Sequence, residues 1–123
     1  YGQNRKIIFV TRNPKAIFSS MKRRNSLSYP GNSVKIFVKW YNDITKRINK
    51  EDFKKIIHIN FEYFFENFYK EKERLSHLLG IEVENTNNFD LDFTLKNLHK
   101  YKNYLSKEEI NFIDKNIDEN FQI

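Results

Sequence analysis

The chain has no cysteine, three glycines, two prolines and one methionine among its 123 residues. The absence of cysteine excludes disulfide bonds, thiolate metal ligands and cysteine nucleophiles. Because the glycines stand alone at positions 2, 31 and 80, the sequence has no glycine-rich loop to cradle a phosphate. The longest apolar run covers only residues 7–10. A membrane-spanning helix needs about 20 apolar residues, so we predict no transmembrane segment in this chain.

The composition is basic and aromatic. The formal net charge is +6 and the sequence pI is about 9.4. This balance favours anionic partners such as nucleotides, nucleic acid or acidic glycans, without choosing among them. The alternative is that the surface lysines only keep the protein soluble. Twelve phenylalanines and seven tyrosines bring the aromatic share to 16%, which predicts a core built mainly from phenylalanine, isoleucine and leucine.

Apolar runs and helical periodicity predict strands and helices in alternation. Strands are expected over residues 6–11 and 55–61, the first of them buried on both faces, as in parallel sheets. Helices are expected over about 14–23, 33–49 and 63–79, and a last one begins at the capping box Ser106–Glu109. Residues 82–94 are predicted to be irregular.

Strands that are separated by helices pair in parallel, so the predicted fold class is α/β, a parallel sheet with flanking helices. We expect residues 1–123 to form a single domain. Two strands make a thin sheet, which suggests that this domain is incomplete and that one sheet edge is uncovered.

The segment KIIFVTRNPKAIFSS, residues 6–20, brings together three anion-binding features. Arg12 ends the first strand, where open α/β sheets bind ligands. Asn13 and Pro14 open a helix whose free N–H groups and positive dipole end face the same way. Ser20 adds a hydroxyl two turns later. The arrangement predicts a site for a phosphate or sulfate group. The alternative places Arg12 in a structural salt bridge, Ser20 in packing, and residues 22–24 on a solvated face.

The order of strand, Arg-Asn-Pro and a serine eight residues after the arginine resembles the 3′-phosphate-binding segment of PAPS-dependent sulfotransferases. Downstream, KIIHINFEYFFEN is similar to the family strand that ends in an aromatic-Glu-Asp segment, although Phe61 stands where tyrosine is usual. LSHLLGI resembles a helix end of the family, and residues 99–106 are similar to its C-terminal basic segment. The resemblance spans nearly the whole chain.

This resemblance implies a P-loop-hydrolase-like fold and a role for named residues. Arg12 and Ser20 would bind the 3′-phosphate of PAPS or its product PAP, and Lys100 and Lys102 are looser stand-ins for a basic triplet of the family. The reaction implied is transfer of a sulfuryl group to an acceptor hydroxyl or amine on a glycan, protein or small molecule. The family's P-loop-like segment, transferring-group lysine and general base are not recognisable here. We therefore expect the C-terminal part of a sulfotransferase, inactive by itself.

Four further residues are acid–base candidates. His58 is expected to be packed or hydrogen-bonded and His77 to be solvated, whereas His99 lies in the basic segment and is harder to dismiss. The histidine spacing fits no compact zinc motif, so we predict no metal site. Glu62 follows the second strand and either anchors neighbouring backbone or acts as a base or substrate contact. No catalytic residue is assigned.

Two other functions remain open. A basic module that binds nucleic acid is one, but the aromatics fall at helical core spacing and do not alternate with basic residues on one surface, so we do not expect nucleic acid. A P-loop kinase relative that uses ATP is the other. We expect a cytoplasmic protein, a location that the lack of cysteine permits without requiring it.

Overall fold

The computed structural model describes residues 7–25, 28–50, 56–82 and 89–118. Within these ranges the chain is an α/β fold with a two-stranded parallel sheet and six α-helices. The elements, in chain order, are β1 (Ile7–Thr11), α1 (Pro14–Asn25), α2 (Val34–Lys50), β2 (Ile56–Asn60), α3 (Phe61–Glu66), α4 (Phe68–Leu79), α5 (Leu91–Asn97), a short 3₁₀ helix (Lys100–Asn103) and α6 (Lys107–Asn116).

The described chain divides into two compact units. Unit 1 consists of Tyr1–Arg12 and Lys54–Leu98, and unit 2 consists of Asn13–Phe53 and His99–Ile123. Unit 1 therefore holds the sheet with α3, α4 and α5, and unit 2 holds α1, α2, the 3₁₀ helix and α6. The expectation that residues 1–123 belong to a single sulfotransferase domain stays a prediction.

The sheet of unit 1 confirms the predicted parallel pairing. β1 and β2 run in register from Ile7 opposite Ile56 to Thr11 opposite Asn60. The expectation that β1 is buried on both faces is wrong. The side chains of Ile8 and Val10 are 44% and 53% exposed, because no element in the described ranges covers them.

Asn67 divides what the periodicity predicted as one helix over residues 63–79. Its backbone lies at φ −123° and ψ 42°, outside the helical region, and its side-chain amide donates to the Tyr63 carbonyl oxygen at 3.1 Å. An asparagine side chain that bonds to the backbone competes with helix continuation. α3 therefore ends at Glu66, and α4 begins at Phe68. Gly80 ends α4 in the left-handed conformation, in agreement with the predicted helix end at residue 79.

The region predicted to be irregular, residues 82–94, contains the start of a helix. Asp90 caps α5 by accepting a hydrogen bond from the Phe93 N–H at 3.0 Å. The prediction is therefore wrong from Leu91 onward, and residues 83–88 lie outside the described ranges. The buried apolar residues of unit 1 are Ile57, Ile59, Phe68 and Leu98, which agrees with the predicted phenylalanine, isoleucine and leucine core. Phe68 also belongs to a cluster of aromatic rings. Ring centroids lie 4.8 to 6.1 Å apart among five phenylalanines: Phe61, Phe64, Phe65, Phe68 and Phe89.

Unit 2 is built around Phe18, Phe37 and Ile113, whose side chains are almost completely buried. The capping box at the start of α6 is confirmed, because Ser106 Oγ accepts from the Glu109 N–H and the Glu109 carboxylate accepts from the Ser106 N–H. Such a cap contributes about 1 kcal/mol. In the ranges that the structure covers, no helix is both long enough and apolar enough to cross a membrane.

Candidate functional site

Arg12 directly follows β1 and lies at the carboxyl end of the parallel sheet in unit 1. Its guanidinium carbon is 4.8 Å from the centroid of the Phe61 ring, which follows β2 at the same end. Arg12 Nε is buried and makes no hydrogen bond to any residue that the structure describes. Among the described residues Arg12 also forms no ion pair, so these ranges do not contain the structural salt bridge that was the alternative to a ligand site.

This environment suits an anion. A buried N–H donor that lacks a partner costs about 1–3 kcal/mol, more when the group is charged. The aromatic ring of Phe61 stabilises the guanidinium by a cation–π contact, which itself uses none of the N–H donors. A phosphate or sulfate oxygen would satisfy them, because the planar guanidinium presents paired donors that match such an oxyanion.

The first turn of α1 does not offer the free N–H groups that the sequence predicted. Pro14 has no N–H, and the Lys15 N–H donates to Asn13 Oδ1 at 3.0 Å. The N–H groups of Ala16 and Ile17 both donate to the Asn13 carbonyl oxygen, at 3.0 and 3.2 Å. The helix therefore keeps only the positive end of its dipole for an anion, because its own cap uses the donors.

The other predicted cofactor residues, Ser20, Lys100 and Lys102, lie in unit 2. Ser20 is half-buried in α1, and Lys102 is exposed in the 3₁₀ helix. Lys100 Nζ lies 5.9 Å from the Tyr104 ring centroid, and the guanidinium carbon of Arg23 lies 4.3 Å from the same centroid. The structure thus gathers Lys100 with Arg23, an arginine of the run at residues 22–24.

Lys22 serves the fold of unit 2. Its Nζ donates to the Glu109 carboxylate at 2.8 and 3.1 Å and so joins α1 to α6. Burial alone would raise the pKa of Glu109, but the hydrogen bonds from Lys22 and Ser106 outweigh it and lower that pKa below its ordinary value. Because Lys22 is paired with Glu109, it is not available to a ligand. Its role is structural, which differs from the solvated face predicted as the alternative for residues 22–24.

Sequence reasoning missed Ser19. Its side chain is 1% exposed, and its Oγ has no hydrogen-bond partner within the described chain. The backbone carbonyl of Ser19 accepts a hydrogen bond from Arg23 Nε at 3.4 Å. The signal that could have found it is helical spacing, because Ser19 follows the buried Ala16 by three residues and shares its face.

His58 is hydrogen-bonded, as expected. Its Nε2 lies 2.8 Å from Thr11 Oγ1, across the two strands. Burial, and second the nearby positive charge of Arg74, lower the pKa of His58 below its ordinary value. His77 and His99 are exposed. Glu62 lies half-buried in the first turn of α3, and its two possible roles both stay predictions. The described residues contain no group of three or more histidines and carboxylates that could hold a metal ion.

The lowered pKa of His58 predicts how the free energy of unfolding changes with pH. Because the folded chain holds this proton less tightly than the unfolded chain, protonation favours unfolding. The free energy of unfolding should therefore fall as the pH drops through 6.5, the ordinary value, towards the lower pKa of the folded state. Urea denaturation of the wild type and of His58→Gln, on both sides of this window, measures the effect.

His77→Gln is the matched control for this experiment, because His77 is exposed on α4. We expect His58→Gln to flatten the pH dependence and His77→Gln to leave it unchanged. Equal pH slopes for the wild type and His58→Gln would contradict the assignment.

Comparison of the chain with protein-family models, with curated proteins and with solved structures finds no significant match.

Proposed function

We propose that this chain carries the 3′-phosphate-binding half of the PAPS site of a PAPS-dependent sulfotransferase. The observation that supports the proposal is Arg12. Its guanidinium lies at the carboxyl end of a parallel strand, and its buried Nε has no hydrogen-bond partner in the part of the chain that the structure describes. Ligands of open α/β sheets bind outside the carboxyl ends of the strands. The resemblance of residues 6–20 to the family's phosphate-binding segment gives the anion its chemical identity.

The proposal gives each residue a role. Arg12 binds the 3′-phosphate through its paired N–H donors. The resemblance also assigns Ser20 to phosphate binding. Lys100 and Lys102 add positive charge for the nucleotide. PAPS, when bound, supplies the sulfuryl group that the full-length protein transfers to an acceptor hydroxyl or amine.

Positioning and charge stabilisation would provide most of the catalytic effect, as in phosphoryl transfer. Arg12 and Ser20 are binding residues in this scheme, since they hold the end of the nucleotide that does not react. Nucleotide binding by the chain is therefore the property that tests the proposal, and turnover is not required.

Thermal unfolding with PAP and with 5′-AMP tests the proposal directly. The two ligands differ by the 3′-phosphate, so only PAP should stabilise the chain. At a concentration of about 100 times its dissociation constant, PAP should add about 2.7 kcal/mol to the free energy of unfolding. Equal stabilisation by PAP and 5′-AMP would refute a 3′-phosphate site.

Two further ligands separate the rival functions. Stronger stabilisation by ATP than by PAP would favour a kinase relative. Binding of an oligonucleotide with a steep salt dependence, and no response to PAP, would favour a nucleic-acid-binding module.

A further inference from the structure

Unit 2 contains a cavity of about 310 Å³ that has no part in the proposed nucleotide site. Five residues line it: Tyr29, Ile36, Lys39, Trp40 and Asp43. Four of them belong to α2, where spacings of three, four and seven residues place them on one face of the helix. The remaining one, Tyr29, comes from the segment before α2. The volume is at the lower end of the range for small-molecule sites, about 300–1,000 Å³.

Two aromatic side chains, Trp40 and Tyr29, line this cavity, and they differ in how firmly they are packed. The Trp40 ring centroid lies 5.8 Å from that of Phe37, which is fully buried, and Trp40 packs against the core cluster of unit 2. The tryptophan is therefore anchored while it lines the cavity. Tyr29 is 69% exposed. An exposed tyrosine beside an anchored tryptophan is a large apolar surface that a ligand could remove from water.

The polar groups of the cavity carry opposite charges. Lys39 and Asp43 are both exposed on α2, and no ion pair joins them to each other or to any other residue in the described part of the chain. The ammonium group can only donate hydrogen bonds, and the carboxylate can only accept them. A ligand that satisfies both needs acceptor and donor groups next to an apolar face.

We propose that this cavity binds a neutral sugar ring. The C–H groups of one sugar face pack against the aromatic side chains, whose ring faces are negative. Sugar hydroxyls both accept from Lys39 and donate to Asp43. An anionic ligand would pair with Lys39 but be repelled by Asp43, a cationic ligand would meet the reverse, and a purely apolar ring would bond to neither of these exposed charges. The proposal is independent of the PAPS site and stands whether or not the chain binds nucleotides.

Trp40 provides the measurement, because it is the only tryptophan in the chain. Its fluorescence therefore reports on this cavity without interference. We expect a saturable change in emission during titration with the methyl glycosides of glucose, galactose or N-acetylglucosamine. A shallow, exposed site of this size should bind in the millimolar range, about 1 mM for the preferred sugar. Glucuronate should bind more weakly than the matching neutral glycoside.

Two variants test the assignment without disturbing the core. Tyr29→Ala and Asp43→Asn change exposed side chains of the cavity, and each should weaken sugar binding about tenfold. Their matched controls, Tyr69→Ala on α4 and Asp92→Asn on α5, change exposed residues elsewhere and should leave binding unchanged. Ligand-observed NMR on the same variants checks the fluorescence result.

Several outcomes would overturn the proposal. One is the absence of any saturable response to the neutral glycosides. Another is tighter binding of glucuronate than of the neutral glycosides, and a third is a response to phenol or indole without a response to sugars. If the cavity variants and their controls lost sugar binding equally, the sugar would not bind at this face of α2.

Discussion

Phe37→Ala is expected to lower the free energy of unfolding of unit 2 by about 3–5 kcal/mol. Phe37 is 0% exposed. Its ring centroid lies 5.1 Å from that of Phe18 on α1 and 6.0 Å from that of Tyr41. Truncation to alanine removes the ring from the centre of these contacts and leaves a cavity that the helices cannot fill completely. A domain is typically stable by only about 5–15 kcal/mol, so the loss is a large fraction of the total.

Urea denaturation, followed by far-ultraviolet circular dichroism, measures this loss. Phe93→Ala is the matched control, because Phe93 is 65% exposed on α5 and undergoes the same substitution. We expect the control to change the midpoint by no more than the equivalent of about 0.5 kcal/mol. If Phe37→Ala were no more harmful than Phe93→Ala, the burial of Phe37 in unit 2 would be wrong.

Local signals in the sequence predicted the elements of unit 2 well. The capping box at Ser106 and Glu109 predicted the start of α6, and Pro14 predicted the start of α1. The capping box satisfies backbone donors within one turn, and the proline has no N–H that needs a partner, so both signals are local and reliable. The predicted bounds of α2, about 33–49, are also close to the observed Val34–Lys50.

The errors in unit 1 have a different origin, since they depend on tertiary context. Hydrophobic periodicity continues through Asn67, and only the hydrogen bond of its side chain to the backbone reveals the break. The apolar run of β1 indicated a strand, but whether Ile8 and Val10 are buried depends on what covers the sheet. No property of residues 7–11 themselves carries that information.

The sequence predicted the position of Arg12 in the candidate site, but it did not predict which backbone N–H groups of α1 are free. A strand followed by Arg12 places the guanidinium at the carboxyl end of the sheet, and the structure has it there. The same Asn13 that predicts the start of α1 also occupies the N–H of Lys15, so the cap removes the free donors that the sequence suggested. Ser19, whose buried Oγ has no partner within the described ranges, was missed because a serine between Phe18 and Ser20 has no distinctive pattern.

Arg12→Ala is expected to weaken PAP binding about 100-fold or more and to abolish the PAP-induced rise in melting temperature. Hydrogen bonds to a charged group contribute about 1.5–3 kcal/mol each, and the alanine removes both N–H donors of the fork together with the charge. Arg12→Lys should give an intermediate loss, because lysine keeps the charge without the paired geometry. Isothermal titration calorimetry with PAP on the wild type and both variants measures these affinities.

The stability of the unliganded variant is a second readout of the same residue. Arg12 Nε is buried and has no hydrogen-bond partner among the described residues, so its removal relieves a cost in free energy that offsets the lost contact with Phe61. Arg12→Ala should therefore unfold at nearly the wild-type urea concentration although it no longer binds PAP. This combination is expected when a ligand-binding residue is substituted, whereas substitution of a structural residue would lower the stability.

Arg47→Ala is the matched control, since Arg47 is an exposed arginine near the end of α2. It lowers the net charge by the same amount as Arg12→Ala. If both variants lost PAP equally, binding would follow the overall positive charge, and no specific site at Arg12 would be required. Loss in Arg12→Ala alone, with unchanged folding, would assign the 3′-phosphate to the arginine that follows β1.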